Sequence, residues 1–511
     1  MTGTDPDPIE RMATGISGFD QVTMGGLPIG RSSLVTGSTG SGKTLFAVEF
    51  LARGIQRHDQ HGVFVTFEET ADDIRRNARS LGFDIPRWET DKKWIFVDAS
   101  ADLTHEGPTV GTYDFGALVA RIDHAVRKVG ASRVSLDSLG AIFTRFPDPG
   151  VVRHELFRIA AALEALGVTS VLTAERGEEY DGVSRYGVEE FVLDNVIVLR
   201  NVLRQERRRR TIEVVKVRGA PHRTGEWLFT IDPREGIVII PLAFLVPRER
   251  ASRDRVSTGN AELDRMLGGG VFRDAITLIT GPTGTGKTLT ALRFADAAYR
   301  AGDRCLLYTF DETPEQLGRN AAGWGLDLGA MEASGLVRVL SDYPEVASLE
   351  DHFIRLRREI EDHRPHRLVI DPLSALERIV TPRALLDFVI ALGALLRRHE
   401  ITTLLTSAPS GRVTPVATPA IAMEIASLAD VTILLRYIER VGSIDRCIAV
   451  LQSRGTAHDE SIRQVSIDRA GMHIGPPVTA LSQIVPDTAS PVDVRQRPVP
   501  PPEETPGATY E

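Results

Sequence analysis

The sequence predicts an α/β chain of two tandem domains, each a mainly parallel sheet flanked by helices. Three observations predict it: a duplication spanning about half the chain, strand–helix alternation within each copy, and a glycine-rich turn from strand to helix at the same place in both. Residues 14–45 read TGISGFDQVTMGGLPIGRSSLVTGSTGSGKTL, and residues 258–289 read TGNAELDRMLGGGVFRDAITLITGPTGTGKTL. Later landmarks recur in the same order. Asn77 answers to Asn320, RVSLDS (ending Asp137-Ser138) answers to RLVIDP (ending Asp371-Pro372), and VKVRGAPH at 215–222 answers to LQSRGTAH at 451–458. A period this long marks whole domains, about 1–247 and 248–475, and excludes a solenoid of short repeats.

The elements follow in order. SLVTG is an apolar run ending in Gly and reads as a buried strand. KTLFAVEFLARGIQ has helical spacing, and GVFVTF is a second strand. ALVARIDHAVRKVG is an amphipathic helix, RVSLD a strand, LFRIAAALEALG a helix and TSVLTAE a strand. Strands that are apolar throughout and alternate with helices belong to a parallel sheet covered by helices. NVIVLRNVLRQERRRRTIEVVKVRG reads as a hairpin with a polar turn, and ERRRR (206–210) is expected in that turn. From 476 to 511 the chain turns Pro-rich and polar, the composition of a disordered tail.

Composition narrows the function classes. The 511 residues carry a net charge of −9, so broad attraction to nucleic acid or anionic lipid is not expected. No apolar run is long enough to span a membrane, and the acidic N-terminus lacks the apolar core of a secretion signal. Two cysteines, Cys305 and Cys447, make neither a disulfide framework nor a CxxC pair. A cytoplasmic protein without a zinc ribbon is the expectation.

GSTGSGKT (37–44) and GPTGTGKT (281–288) both match G-x4-GK[ST] between a predicted strand and a predicted helix. Such a loop turns backbone N–H groups onto phosphate oxygens at a helix N-terminus, which already favours anions. Gly40, Ser41, Gly42, Lys43, Thr44 and Leu45 form the first cradle; Thr283, Gly284, Thr285, Gly286, Lys287, Thr288 and Leu289 form the second. Lys43 and Lys287 are expected on the β- and γ-phosphates, and Thr44 and Thr288 on Mg²⁺. Asp137 and Asp371 each end an apolar strand, where a carboxylate holds the Mg²⁺ shell. Together these point to two tandem P-loop NTPase domains that bind a nucleoside triphosphate and Mg²⁺.

Hydrolysis also needs a group to orient or deprotonate the attacking water. FEET (67–70) and FDET (310–313) each follow an apolar strand, expected beside the phosphate-loop strand. Glu68 and Glu69, and in the second copy Asp311 and Glu312, are the candidates. One catalytic acid per domain is expected, the other acid being a solvated helix start. Asp311 is also a candidate metal ligand.

GGLPIGRSSLVTGSTGSGKTLF, GVFVTFEET, NARSLGFD, VVRHELFRIAA, RYGVEEFVLDNVIVLRNVL, ERRRRTIEVVKVRG and YPEVASLEDH closely resemble the KaiC family of double-domain RecA-like ATPases, over about residues 10–475, which implies two tandem RecA-like P-loop NTPase domains using ATP and Mg²⁺. The resemblance implies a hexamer of two stacked rings with ATP at the subunit interfaces. It implies a slow ATPase in the N-terminal ring and a Ser/Thr autokinase and phosphatase in the C-terminal ring. By position, Glu68 matches the N-terminal catalytic glutamate. Lys216, Val217 and Arg218 match a segment that reaches the neighbour's phosphates, and Ser80 and His222 match nucleotide contacts. In the second copy Trp324, Arg446, Arg454, Thr456 and His458 match nucleotide-contacting positions. A KaiB-like partner on the N-terminal ring is implied. A KaiA partner is not, because GPPVTALSQIVPDTASP matches that binding end only loosely. A DNA-stimulated motor would need a basic pore loop, a zinc motif or a basic domain, and none is evident. A scaffold whose ATP sites hold a ring together is the other alternative.

The second copy departs from the family in three places. Asp311 replaces a glutamate, which withdraws the carboxylate by about 1.5 Å. Gln452 replaces a lysine. Ala426 and Ser427 stand at the family's Ser-Thr phosphosites, so only Ser427 keeps a hydroxyl. Ser427 reads equally as a phosphoacceptor or as a polar residue near a subunit surface.

Overall fold

The computed structural model describes residues 9–99, 115–140, 148–176, 189–204, 207–240, 252–408, 419–440 and 443–478. Most of the expected tail, 479–511, lies outside the described residues. The chain divides into two compact units, Met1–Leu245 with Glu350–Ile354 and Val246–Leu349 with Arg355–Glu511.

Each unit is built on a nine-stranded sheet. In the first, the strands lie in the order Gly236–Ile239, Glu226–Asp232, Arg207–Val217, Asn195–Arg204, Ser32–Gly37, Thr169–Glu175, Arg133–Asp137, Gly62–Thr66, Trp94–Asp98. The six from Asn195–Arg204 to Trp94–Asp98 are parallel, and the hairpins beyond are antiparallel. The second unit repeats this order around its phosphate-loop strand, Ile276–Thr280.

Two expectations are corrected. Gly62–Thr66 does not lie beside the phosphate-loop strand: Thr169–Glu175 and Arg133–Asp137 stand between them. Cys305–Thr309 is displaced in the same way in the second unit. Adjacency along the chain is not adjacency in a sheet whose crossovers skip positions. The arginine run is also not a turn. Strand pairing continues to Arg204↔Arg207, so Arg207 to Arg210 are strand residues.

Strand alternation explains why these runs read as apolar throughout. Val35 and Phe64 face one side of the first sheet, against Phe46, Phe50 and Leu51 of the helix Lys43–His58. Leu34, Val63 and Val65 face the other side, against Leu118 and Ile122 of Phe115–Val129 and Leu156 and Ile159 of Pro149–Ala165. Each fully buried large side chain contributes about 1.5–3 kcal/mol relative to exposure.

A carboxyl group is sealed into this core. Glu49 is fully buried, and burial pushes its carboxyl up to about 8. Its Oε1 accepts from the Ile237 N–H at 2.6 Å. Arg53 Nε stays 3.8 Å from Oε2 and does not offset the burial. The folded state therefore holds this proton more tightly than the unfolded chain. The resulting stability is complete below the unfolded value of 4.5 and is lost as pH rises through about 8. Glu49→Gln keeps the acceptor for Ile237 and removes the titration. In thermal scans it should outperform the wild type at about pH 9 by about 3–5 kcal/mol, with the gap narrowing as pH falls and closing towards pH 4.5. Parallel pH profiles for the two proteins would contradict this.

Candidate nucleotide sites

In each unit the phosphate loop leaves the C-terminal end of its strand and opens a helix, Lys43–His58 or Lys287–Ala301. Gly42 and Gly286 sit at the helix N-caps with φ of 101° and 108°, which an L side chain rarely adopts. Neither cap carries a side-chain hydrogen bond, so the loop and helix N–H groups are left to a ligand. Lys43 Nζ donates to the Ser38 carbonyl at 3.0 Å, and Lys287 Nζ to Gly281 and Pro282 at 2.6 and 2.8 Å, which folds each lysine over its loop.

The first cleft, about 350 Å³, is lined by Gly40, Gly42, Lys43, Thr44, Leu45 and Glu69 from the expected set. Ser41 is buried beneath the loop. Asp137 is buried and accepts from Thr173, and Thr44 also bonds to it. Burial raises its pKa, against those two bonds. The second cleft, about 1200 Å³, is lined by Thr283, Gly284, Gly286, Lys287, Thr288, Leu289, Asp311, Glu312, Trp324, Asp371 and Arg446. Thr285 donates to the Pro282 carbonyl at 2.8 Å and shapes the loop. Asp371 accepts from Thr406 and is bonded by Thr288, repeating the first site.

These residues fit a Mg-nucleotide. Among the described residues no group of three or more His, Cys, Asp or Glu could hold a metal alone. Mg²⁺ bound through one hydroxyl, waters and phosphate oxygens needs no such cage.

The acids follow a shared frame with one difference. Thr70 and Thr313 are the helix N-caps, accepting from Asp73 and Gln316 N–H groups at 3.2 and 3.3 Å. The second acid of each pair is then held by the next helix: Asn77 donates to Glu69 at 3.4 Å, and Asn320 to Glu312 at 3.2 Å. The first acids diverge. Glu68 Oε1 accepts from Ser138 Oγ at 3.2 Å, whereas Asp311 pairs with Arg378 Nη2 at 2.7 Å. Arg378 Nε also holds Glu345 at 3.0 Å. Pro372 replaces Ser138 in the second unit and has no hydroxyl to give Asp311. Burial raises the pKa values of Glu68, Glu69 and Glu312, and for Glu68 the nearby Glu175 and Asp137 add to it.

The remaining expected residues sort by the end of the sheet they occupy. Arg446, on the strand Ser443–Ser453, donates from Nε to the Gly284 carbonyl at 2.9 Å, in the phosphate loop of its own unit. Ser80 is exposed at the end of the helix Ala71–Arg79, bonded to the Asn77 carbonyl at 2.7 Å. Val217 pairs with Asn195, and Asn195 with Ser33, so Lys216, Val217 and Arg218 lie at the end of the sheet opposite Gly37. His222 follows in the loop after them. Gly37 lies four residue steps beyond Ser33, about 13 Å of strand, beyond the reach of a lysine in the same chain. In the second unit Val431 pairs with both Thr277 and Ser453, which puts Arg454, Thr456 and His458 at the corresponding far end. Arg454 donates to the Ser427 carbonyl, and the exposed Ser427 Oγ donates to Glu424 O at 2.7 Å. The Gln452 side chain donates to the Ala429 carbonyl at 3.5 Å.

Sequence reasoning missed the roles of Ser138, Glu175 and Arg378. Ser138 and Pro372 were visible as a difference after matching acids. Arg378 gave no signal, being 67 residues from Asp311.

Two phosphate-loop domains in tandem, with these strand orders and strand-end acids, define a double RecA-like P-loop ATPase. The family model described as "ATPase: KaiC" matches residues 12–243 and 256–479. The circadian clock protein KaiC3 of Synechocystis sp. is 49% identical over 489 residues, 96% of each chain. The circadian clock oscillator protein KaiC of Synechococcus elongatus is 46% identical over 466 residues, 91% of this chain and 89% of that protein. That of Rippkaea orientalis is 46% identical over 463 residues, 91% of this chain and 88% of that protein. The chain belongs to the KaiC ATPase family. Among the described residues no helix is long and apolar enough to cross a membrane.

Proposed function

We propose that this chain is a ring-forming clock-type ATPase whose first unit hydrolyses ATP and whose second unit phosphorylates Ser427 of an adjacent copy. The observation that carries this reading is the separation of Lys216, Arg218, Arg454 and Ser427 from the phosphate loops of their own units. Residues that match nucleotide contacts but cannot reach their own nucleotide serve a neighbour. A head-to-tail interface of this kind closes into a ring, and the family resemblance makes that ring a hexamer. The relatives' names supply the clock context, and a KaiB-like partner belongs to the same reading. Two buried free cysteines suit a reducing cytoplasm.

In the first site Lys43 and the loop N–H groups hold the β- and γ-phosphates. Thr44, with Asp137 behind it, holds Mg²⁺, which when bound draws charge off the phosphate oxygens. Glu68, raised by burial and steadied by Ser138, takes a proton from the attacking water, and Glu69 with Asn77 borders the same space. Lys216 and Arg218 of a neighbour meet the charge that develops on the phosphates. In the second site Lys287, Thr288 and Asp371 repeat the first roles. There the acceptor is the neighbour's Ser427, and Asp311 or Glu312 receives its proton.

Size exclusion with Mg-ATP, followed by intact-mass measurement, tests the reading. Hexamers are expected, with one phosphate gained by the wild type and none by Ser427→Ala. Persistent monomers would overturn the ring. A wild type that gains no phosphate would overturn the kinase.

A further inference from the structure

The two sites differ by a second, coupled exchange beside the acids. In the first unit Glu175 ends the strand next to the phosphate-loop strand, and its Cα pairs with Gly37, where the loop begins. The following N–H, of Arg176, donates to the Gly37 carbonyl at 3.3 Å. Gly140 faces Glu175: a Cβ there would lie 3.5 Å from Ser138 Oγ and 3.8 Å from Glu175 Cγ. The carboxylate of Glu175 therefore occupies the neighbourhood of the Ser138 hydroxyl that holds Glu68. In the second unit Ala408 stands at the place of Glu175, and Ser374 at the place of Gly140. There the Ser374 hydroxyl accepts from the Ala408 N–H at 3.0 Å, filling the slot from the opposite side. Large with small has become small with large. With Ser138 exchanged for Pro372, the first site gathers the carboxylates of Glu68 and Glu175 around the Ser138 hydroxyl, where the second keeps one carboxylate, Asp311, turned to Arg378, and the Ser374 hydroxyl bonded to the Ala408 N–H.

We propose that Glu175 is a water-positioning residue of the first site, acting with Glu68, and that its exchange for Ala408 disfavours water as the acceptor in the second. A water attacking in line offers two protons. Glu68 takes one as the oxygen–phosphorus bond forms, and Glu175 accepts a hydrogen bond from the other. The bond from the γ-phosphorus to the bridging oxygen breaks, and ADP and phosphate leave. The field of Glu175 on Glu68 and Asp137 agrees with this crowding. With alanine in place of the second acceptor, a water is left free to rotate, and a hydroxyl presented by protein competes better.

The inference rests on Glu68 as the hydrolytic acid of the first unit, and the experiment separates the two claims. ATP turnover is measured on the full chain for Glu68→Gln, Glu175→Gln, Glu175→Ala and the double variant Gly140→Ser/Glu175→Ala. Glu68→Gln defines the share of turnover that belongs to the first site. The proposal predicts that each Glu175 variant loses about 10-fold or more of that share in kcat, with KM for ATP within about twofold. The double variant, which rebuilds the packing of the second unit, should stay as slow as Glu175→Ala. Recovery in the double variant would show that Glu175 only fills space, and wild-type kcat in the Glu175 variants with an inactive Glu68→Gln would also overturn the proposal. Wild-type turnover in Glu68→Gln would instead overturn the reading beneath it.

Discussion

Alanine at both Lys216 and Arg218 should cut ATP turnover in the first unit by about 10³-fold or more, while ATP still binds in the cleft of the same chain. The size follows from the role. Cations supplied in trans to a transferring phosphoryl group are worth about 10³–10⁵ in rate. The retention of binding follows from position. The phosphate loop leaves Gly37 at one end of the sheet, and Val217 pairs with Asn195 at the other. Lys216 Nζ meets the carbonyls of Glu190 and Leu193 at 2.9 and 2.8 Å, and Arg218 meets Asp194 at 3.1 Å. These contacts hold the segment at its own edge of the sheet, facing away from its own nucleotide. Steady-state turnover and equilibrium nucleotide binding, measured on the same sample, check it. Loss of binding in parallel with turnover would place the two cations in the wrong role.

Asp311→Glu should raise phosphate incorporation at Ser427, by up to about 10²-fold if reach alone is limiting. The longer side chain restores the roughly 1.5 Å that the aspartate lacks. Arg378 adds a second reason for slowness, because its ion pair with Asp311 occupies the carboxylate in the resting geometry. Both partners are substantially exposed, so the pair itself is weak and should yield to a better geometry. Time courses of intact mass, compared for wild type and Asp311→Glu, read the effect. An unchanged rate would put the limit elsewhere, at Gln452 in place of a lysine.

The repeat, the two phosphate loops, the strand-end acids and the helix–strand alternation were legible because each is local. A glycine-rich loop between strand and helix carries its function in eight consecutive residues. The placement of the acid pairs was not legible in the same way. Glu68 reaches Ser138 because Phe67 continues the pairing onto Asp137, although two strands separate Gly62–Thr66 from the phosphate-loop strand. A crossover that skips positions leaves no local mark. The arginine run was misplaced for a related reason: charge suggested a turn, while the pairing partners lay on the preceding strand. Glu175 was legible only as the end of the strand TSVLTAE, and Ala408 was not singled out at all. Their meaning needed Gly140 and Ser374 opposite them, which only the folded chain supplies.

The central claim is that each first-unit site is completed by another copy of the chain, and mixing two inactive proteins tests it most directly. One carries Lys216→Ala/Arg218→Ala and lacks only the donated cations. The other carries Glu68→Gln and lacks only the acid. After mixing with Mg-ATP, an interface that joins the intact cleft of the first to the intact cations of the second should hydrolyse ATP. The account predicts turnover in the mixture well above that of either protein alone. A mixture that forms mixed rings and stays as inactive as its components would contradict it.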